Sequence, residues 1–420
     1  MPLTAAPGAG TAGPGDTRYL LGLVGFICFV TLFEGYDLLI INLALPYLGR
    51  DFGADAETLG HAVGLINVGT IVAFIPVRLA DRYGRRPVLL CAIAGYTVFT
   101  VLSACAVGLA DFVVWQFIAR MFMVTEIGVG AIILTEEMPA RYRGAAVTLM
   151  FASSLAGGIF GSLIFPHLVD TVLGWRMLYV VGGVALPVLV WYWARLRETR
   201  RFRATPPAPG EPLLASFRAL GVVFAAPYRR RTLAGVVIWF TVTSWSASCL
   251  FFFSYYVSNE RGWSPAAVSQ ALTLGYALAI VGYATAGPLL DWAGRRLTAS
   301  VYFTLGAVAA WVCFTAEDAA VITAAYVVVL GMHALWPIAA TITSEIFPTA
   351  IRGTANAVVN NLLGRTGMAL APALVGGLSV YFGSVGQAVA TVALLPFVSL
   401  PIILLLVRET RGEELERIAS

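Results

Sequence analysis

Polar and apolar positions along this chain change on the scale of whole helices: long apolar stretches are separated by short loops that carry most of the charge. Twelve such stretches occur, at 19–45, 61–80, 87–107, 112–135, 144–168 and 175–196, then at 232–257, 265–288, 297–315, 319–343, 354–380 and 384–407. Each has about the 20 residues needed to cross a bilayer as a helix. With no water available to backbone groups in lipid, a helix is the form that satisfies them within one segment. The pattern therefore predicts an all-α membrane protein of twelve transmembrane helices in two six-helix bundles, 19–196 and 232–407.

The loops show that the two bundles are copies. RLADRYGRR at 78–86 returns as LLDWAGRR at 289–296, and EEMPARYRG at 136–144 returns as SEIFPTAIRG at 344–353. Asp81 and Asp291 lie 210 residues apart, while Glu136 to Glu345 and Arg143 to Arg352 both span 209. A third echo, RETR at 197–200 and 408–411, falls 211 apart. Membrane proteins made of two like halves hold their ligand site between them, near the bilayer midplane. The duplication predicts a transporter.

Composition fixes the solvent and the orientation. Hydrophobic residues make up 59% of the chain against 12% charged, and the mean hydropathy is +0.82, far from a soluble domain. All 27 basic residues are arginine, and they crowd the loops after even-numbered spans and the middle loop; the other loops offer only Arg50, Arg176 and Arg261. The positive-inside bias then places both termini in the cytoplasm, in a plasma membrane of the bacterial inner-membrane type. The net charge of +4 follows from topology and points to no nucleic acid. Residues 1–18 read as a disordered cytoplasmic tail, 197–231 as a cytoplasmic linker containing the proline-rich ATPPAPGEP at 204–212, and 408–420 as a second tail. Five cysteines without paired spacing read as packing residues. No phosphate-binding loop or metal-ligating cluster is visible, so no cofactor is expected and ATP is not the energy source.

A charge at the centre of a spanning helix costs about 2.5–3.5 kcal/mol on insertion scales, so each one needs a reason. Span 1 holds Glu34 and Asp37, span 4 holds Arg120 and Glu126, and span 11 holds Arg365. At 1.5 Å per residue, Glu34 and Arg120 both lie roughly 22 Å above the cytoplasmic end, a match in height that allows an ion pair; Glu126 lies about 14 Å up and Arg365 roughly 17 Å. A guanidinium clamps a carboxylate with two parallel hydrogen bonds. Asn361, one helical turn before Arg365, is placed to share its ligand. Among the aromatic residues Tyr36, Trp245 and Trp336 are the candidates to stack on a ring. In the loops, Asp81 with Arg82, Arg85 and Arg86 after span 2 is expected to pair with Glu136 and Arg143 after span 4 as a gating latch; Asp291, Arg295, Arg296, Glu345 and Arg352 repeat the set.

With D-R-x-G-R-R after helix 2 and its copy after helix 8, the chain resembles the major facilitator superfamily over nearly all of residues 19–411. E-x-x-P-x-x-x-R-G after helices 4 and 10, and E-T-R after helices 6 and 12, are similar to the branch of sugar porters, organic-ion carriers and aromatic-acid:proton symporters. Within it, FEGYD at 33–37 resembles the D-G-F-D of the aromatic-acid symporters, and GRTGMALAP at 364–372 resembles their G-R-x-G-x-x-x-x-P. Two departures stand out: Val124 and Glu126 occupy helix-4 positions that are glycine in the family, and helix 7 lacks the Q-L-S of sugar porters. The resemblance implies secondary active transport, in which helices 1 and 4 face one cavity. It implies proton-coupled uptake of an aromatic or other monocarboxylate by a monomer. Glu34, Asp37 or Glu126 would carry the proton, and Arg365, Asn361, Tyr36, Arg120, Trp245 and Trp336 would bind substrate. A drug or amphiphile exporter, a sugar or polyol carrier and a non-transporting receptor are the competing readings.

Overall fold

A computed structural model describes residues 14–204, 220–407 and 409. Among these residues twelve helices are long and apolar enough to cross a membrane, and no strand occurs. They are α1 (Thr17–Phe52), α2 (Ala56–Tyr83), α3 (Arg85–Ala104), α4 (Leu109–Glu137), α5 (Arg141–Val169) and α6 (Arg176–Trp193), followed by α7 (Ala226–Asn259), α8 (Pro265–Ala293), α9 (Arg295–Thr315), α10 (Ala319–Glu345), α11 (Ile351–Phe382) and α12 (Val385–Leu406). Helix 1 starts at Pro14, so the stretch read as a tail to residue 18 ends in helix. Proline suits that first turn because its missing N–H has no partner there in any case. Helix 7 begins six residues before the apolar run at 232, and Arg229, Arg230 and Arg231 therefore ride on its first turns. The expected linker contains a short helix, Arg200–Ala204, and a 3₁₀ turn, Leu220–Phe224; residues 205–219, most of the 408–420 tail and residues 1–13 lie outside the described residues.

The copied sequence gives copied packing. α1 lies on α5 as α7 lies on α11, α3 on α4 as α9 on α10, and α2 on α4 as α8 on α10. The first of these contacts is tight because a Cβ at Gly35, inside FEGYD, would overlap the Ser154 carbonyl oxygen on α5. Gly35→Val is expected to prevent the two helices from meeting, with loss of monodisperse folded protein on extraction into detergent. A variant that extracts and melts like wild type would show that α1 and α5 have room to spare.

The halves meet along α1–α7, α2–α11 and α5–α8. The polar contacts between them all sit toward the arginine-poor end. The Ser254 N–H donates to Asn42 Oδ1 (3.0 Å), Arg50 Nη2 to Asn259 Oδ1 (3.2 Å), and Ser269 Oγ to the Ser162 carbonyl (2.6 Å); the Ser162 and Thr273 hydroxyls lie 2.7 Å apart. At the arginine-rich end the ion pairs among the described residues stay inside one half. The molecule is thus closed on its arginine-poor face.

Candidate functional site

The acidic cluster is built on α1 and α4. Glu34 is buried and accepts a hydrogen bond from Ser154 Oγ of α5 (2.8 Å), the residue whose backbone Gly35 admits. One turn on, Asp37 Oδ2 accepts from Thr100 Oγ1 of α3 (2.6 Å), while its Oδ1 has no hydrogen-bond partner. Glu126, 0% exposed, accepts from Thr31 Oγ1 at 3.2 Å and leaves Oε2 without a partner. Arg120 is 2% exposed, and neither terminal nitrogen of its guanidinium has a hydrogen-bond partner among the described residues. The expected Glu34–Arg120 ion pair does not close. Instead the guanidinium lies 5.8 Å from the Phe251 ring of α7. Matching heights along two helices do not fix rotation about their axes, and Ser154 holds the Glu34 carboxylate toward α5. Asp37 and Glu34 remain the opposite charges within electrostatic reach of Arg120.

Glu34 is within electrostatic reach of Arg365, and of Tyr276 and Tyr283 on α8, all in the second half. The neighbours of Asp37 are Thr100, Arg120 and Glu34, all in its own half. Glu34 is therefore the candidate among the three acids for a group that links the two bundles.

Arg365 sits where α11 changes form. Residues Ala357–Gly364 are π-helical, and the Arg365 N–H donates to the Asn360 carbonyl five residues back (3.0 Å). Such segments concentrate at functional sites. Just beyond it Gly367 lets α11 touch α7, since a Cβ there would collide with the Phe240 carbonyl; Thr243 Oγ1 of α7 donates to the Gly364 carbonyl (2.7 Å). The GRTG glycines thus seat the helix and leave the arginine half-buried. Its Nε has no hydrogen-bond partner, no ion pair engages it among the described residues, and its guanidinium lies 6.0 Å from the Trp336 ring of α10. A cation over an indole face at that distance is attracted by the ring quadrupole, yet both carboxylate-binding edges stay uncommitted. Asn361 is also half-buried on this helix.

Two proposed ring-binding residues are engaged elsewhere. Tyr36 is fully buried and its hydroxyl donates to the Leu178 carbonyl of α6 (2.6 Å). Trp245 is 0% exposed, donates from Nε1 to the Gly306 carbonyl of α9 (3.1 Å) and packs on His333. Both stand on the right helices but turn into their own bundles, because an indole N–H or phenol buried in lipid-level packing seeks a backbone carbonyl. Trp336 is half-buried and meets Trp239 edge-on at 5.5 Å.

The latch loops form two matching clusters. Arg85 bridges Asp81 (3.2 Å) and Glu136 (3.2 Å), and Arg295 bridges Asp291 (3.4 Å) and Glu345 (2.9 Å). Glu136, of the loop after span 4, thus meets an arginine of the loop after span 2, and Thr199 Oγ1 donates to it as well (2.6 Å). Arg352 instead donates to the Ser344 carbonyl (2.9 Å), and Arg82 is exposed beside the Tyr83 ring. Arg86 Nη2 and Arg296 Nε donate to the Trp193 and Val407 carbonyls (2.9 and 2.7 Å).

Two residues absent from the sequence-derived latch complete the clusters. Glu198 accepts from the Arg85 and Arg86 N–H groups (3.0 and 3.2 Å), and Glu409 accepts from the Arg295 and Arg296 N–H groups (2.9 and 3.1 Å). Each caps the start of α3 or α9 from the far end of its own bundle, where free N–H groups and the helix dipole favour an anion. Gly84 (φ +105°) and Gly294 (φ +87°) make the approach possible, because a Cβ at either would press on the glutamate. The signal was the third repeat, RETR, whose glutamates lie 211 residues apart. Glu198→Ala and Glu409→Ala are each expected to lower stability by about 1–2 kcal/mol, by loss of a helix cap. A melting temperature unchanged in both would remove the capping role.

Comparisons with known proteins fall on the same side as this geometry. A gallate transporter of Pseudomonas putida is 28% identical over 214 residues, 49% of this chain and 46% of that protein. A 3-(3-hydroxy-phenyl)propionate transporter of Escherichia coli is 27% identical over 96% of this chain and 98% of its own. The xylose transporter XylE from E. coli, solved in an inward open conformation, superposes with a TM-score of 0.76 at 16% identity, covering 95% of this chain and 99% of that one, a likeness of fold. The Major Facilitator Superfamily model matches residues 27–360 and 235–419. Twelve spanning helices in two copied bundles, paired loop clusters and that match together place the chain in the major facilitator superfamily, as a transporter and not an enzyme.

Proposed function

We propose that this protein carries a small organic anion, an aromatic monocarboxylate, into a bacterial cell together with protons by alternating access. The reading rests on Arg365: a permanent cation in the middle of α11, with no ion-pair partner among the described residues and with the Trp336 ring beside it. A charge in the middle of a membrane-spanning helix is retained where a ligand of opposite sign meets it. The named cargoes of the relatives, gallate and a hydroxyphenylpropionate, are aromatic carboxylates and support the same class.

The cycle assigns a role to each group. The arginine-rich face is cytoplasmic by the positive-inside rule, and closure of the opposite face makes this the inward-facing state. The substrate carboxylate engages Arg365 and its ring lies against Trp336. A proton on Glu34 removes the nearest competing negative charge, so that Arg365 and the substrate pair unopposed. The loop clusters hold each bundle rigid, so that the bundles rock about the seam of α1–α7, α2–α11 and α5–α8. The protein works as a monomer in the inner membrane with both termini inside.

The test is a thermal-shift panel on purified protein with aromatic acids, aliphatic acids, sugars and cations, joined to uptake by right-side-out vesicles under an imposed pH gradient. Stabilisation by carboxylates, and accumulation when the interior is alkaline, are expected. Hits confined to cations or neutral sugars would end the anion reading. Gradient-driven expulsion would replace uptake by export.

A further inference from the structure

The π-helical turn changes which side chains stand beside Arg365. In an α-helix the residue four places earlier, Asn361, shares its face, while Asn360, five places earlier, is rotated by about 140°. Here the backbone bonds i to i−5, as the Arg365 N–H donating to the Asn360 carbonyl shows (3.0 Å), so the wider turn brings the residue five places back round to the arginine's side of the helix, next to Asn361. The same widening brings Asn356 toward this column, where an α-helix would put it about 180° away from Arg365. The two asparagines share an anomaly. Both are half-buried in a membrane-spanning helix, and each has a buried amide oxygen with no hydrogen-bond partner. An unmet carboxamide in this setting costs free energy that packing does not return.

We propose that Asn360 and Asn356 form a hydroxyl-reading subsite, which makes the protein selective for aromatic carboxylates bearing a ring hydroxyl remote from the carboxylate. This rests on the anion reading of Arg365 and adds to it a second recognition point. Five residues of helix advance at most about 7.5 Å, the scale of one aromatic ring with its two substituents. A carboxylate on Arg365 therefore sets a para hydroxyl at the level of Asn360, with Asn356 further toward the arginine-rich face. The carboxamide offers an acceptor and a donor, which suits a hydroxyl in either role and offers nothing to a bare ring edge. A site built to bond a substrate hydroxyl rejects the analogue that lacks it, because its own polar groups are then left unpaired.

The experiment compares benzoate with 4-hydroxybenzoate by direct binding to the purified full-length protein, in wild type, Asn360→Ala, Asn360→Ser, Asn356→Ala and Arg365→Ala. Wild type should favour the hydroxylated acid roughly five- to tenfold, the worth of one or two hydrogen bonds. Asn360→Ala should bring that ratio to within about twofold of unity, by weakening 4-hydroxybenzoate alone, while Asn360→Ser keeps part of it and Arg365→Ala loses both acids. Equal wild-type affinities for the two acids would overturn the proposal, as would a preference that survives both alanine variants or an equal loss of both acids in well-folded Asn360→Ala. Should Asn360→Ala fail to fold, the ratio in Asn360→Ser and Asn356→Ala decides. Absence of binding of either acid to wild type marks failure of the anion reading itself, a distinct outcome.

Discussion

Arg365→Ala is expected to abolish stabilisation of the purified protein by aromatic carboxylates and to reduce their uptake to background, with the fold intact. A carboxylate held by a two-pronged guanidinium away from bulk water gains more than one charge-assisted hydrogen bond, worth about 2–4 kcal/mol in all, or a roughly 30- to 700-fold loss of affinity on removal. The fold should survive because the arginine holds nothing else in place. No ion pair engages it among the described residues, and the contact of α11 with α7 is carried by Gly367 and by the Thr243 hydrogen bond to Gly364. Truncation leaves Trp336 packed on Trp239, so the melting temperature without ligand should stay close to wild type. Arg365→Lys separates charge from geometry: a point charge on a flexible stem keeps attraction and loses the planar fork, so weak binding should remain. Full retention of carboxylate-induced stabilisation in Arg365→Ala would move the anion site elsewhere, with Arg120 next in line.

Architecture was legible because lipid leaves few choices. Twelve apolar runs can only be helices, and a 209–211 residue offset in three separate loops can only be a duplication. The loop clusters were legible as sets without their pairings: it is Arg85 that meets Glu136, since which arginine arrives depends on how the ends of α2, α4 and α6 converge. Glu198 and Glu409 were visible as an echo without a role, because capping a helix across a bundle leaves no local spacing signal. Inside the membrane, helical rise offered a height for Glu34, Arg120 and Arg365 and nothing about the direction of a side chain. Tyr36 and Trp245 turn inward to backbone carbonyls, Glu34 turns to Ser154, and the π turn brings Asn360 to the side of Arg365 next to Asn361. A sequence read at 3.6 residues per turn has no means of finding a turn that is wider.

Glu34→Gln is expected to uncouple transport from the pH gradient while leaving substrate exchange measurable. Glu34 differs from its two rivals in its surroundings. Asp37 is tied to Thr100 and sits among groups of its own bundle, and Glu126 is enclosed beside Thr31 with 0% exposure. Their hydrogen-bond partners belong to the first half. Glu34 lies in the field of Arg365, Tyr276 and Tyr283, so its charge is felt at the substrate site and at the α5–α8 seam. Proton coupling needs that property: one group whose protonation changes the energy of both substrate binding and bundle closure. Glutamine keeps the shape and the bond to Ser154 while fixing the neutral state. The carrier should then bind carboxylate at all pH values and exchange it across the membrane, but accumulate none when the interior is made alkaline. Asp37→Asn, by contrast, should lose stability more than coupling, since a buried carboxylate beside Arg120 is replaced by a neutral amide. Accumulation driven by the gradient in Glu34→Gln at the wild-type rate would transfer the proton to Asp37 or Glu126 and leave Glu34 a packing residue.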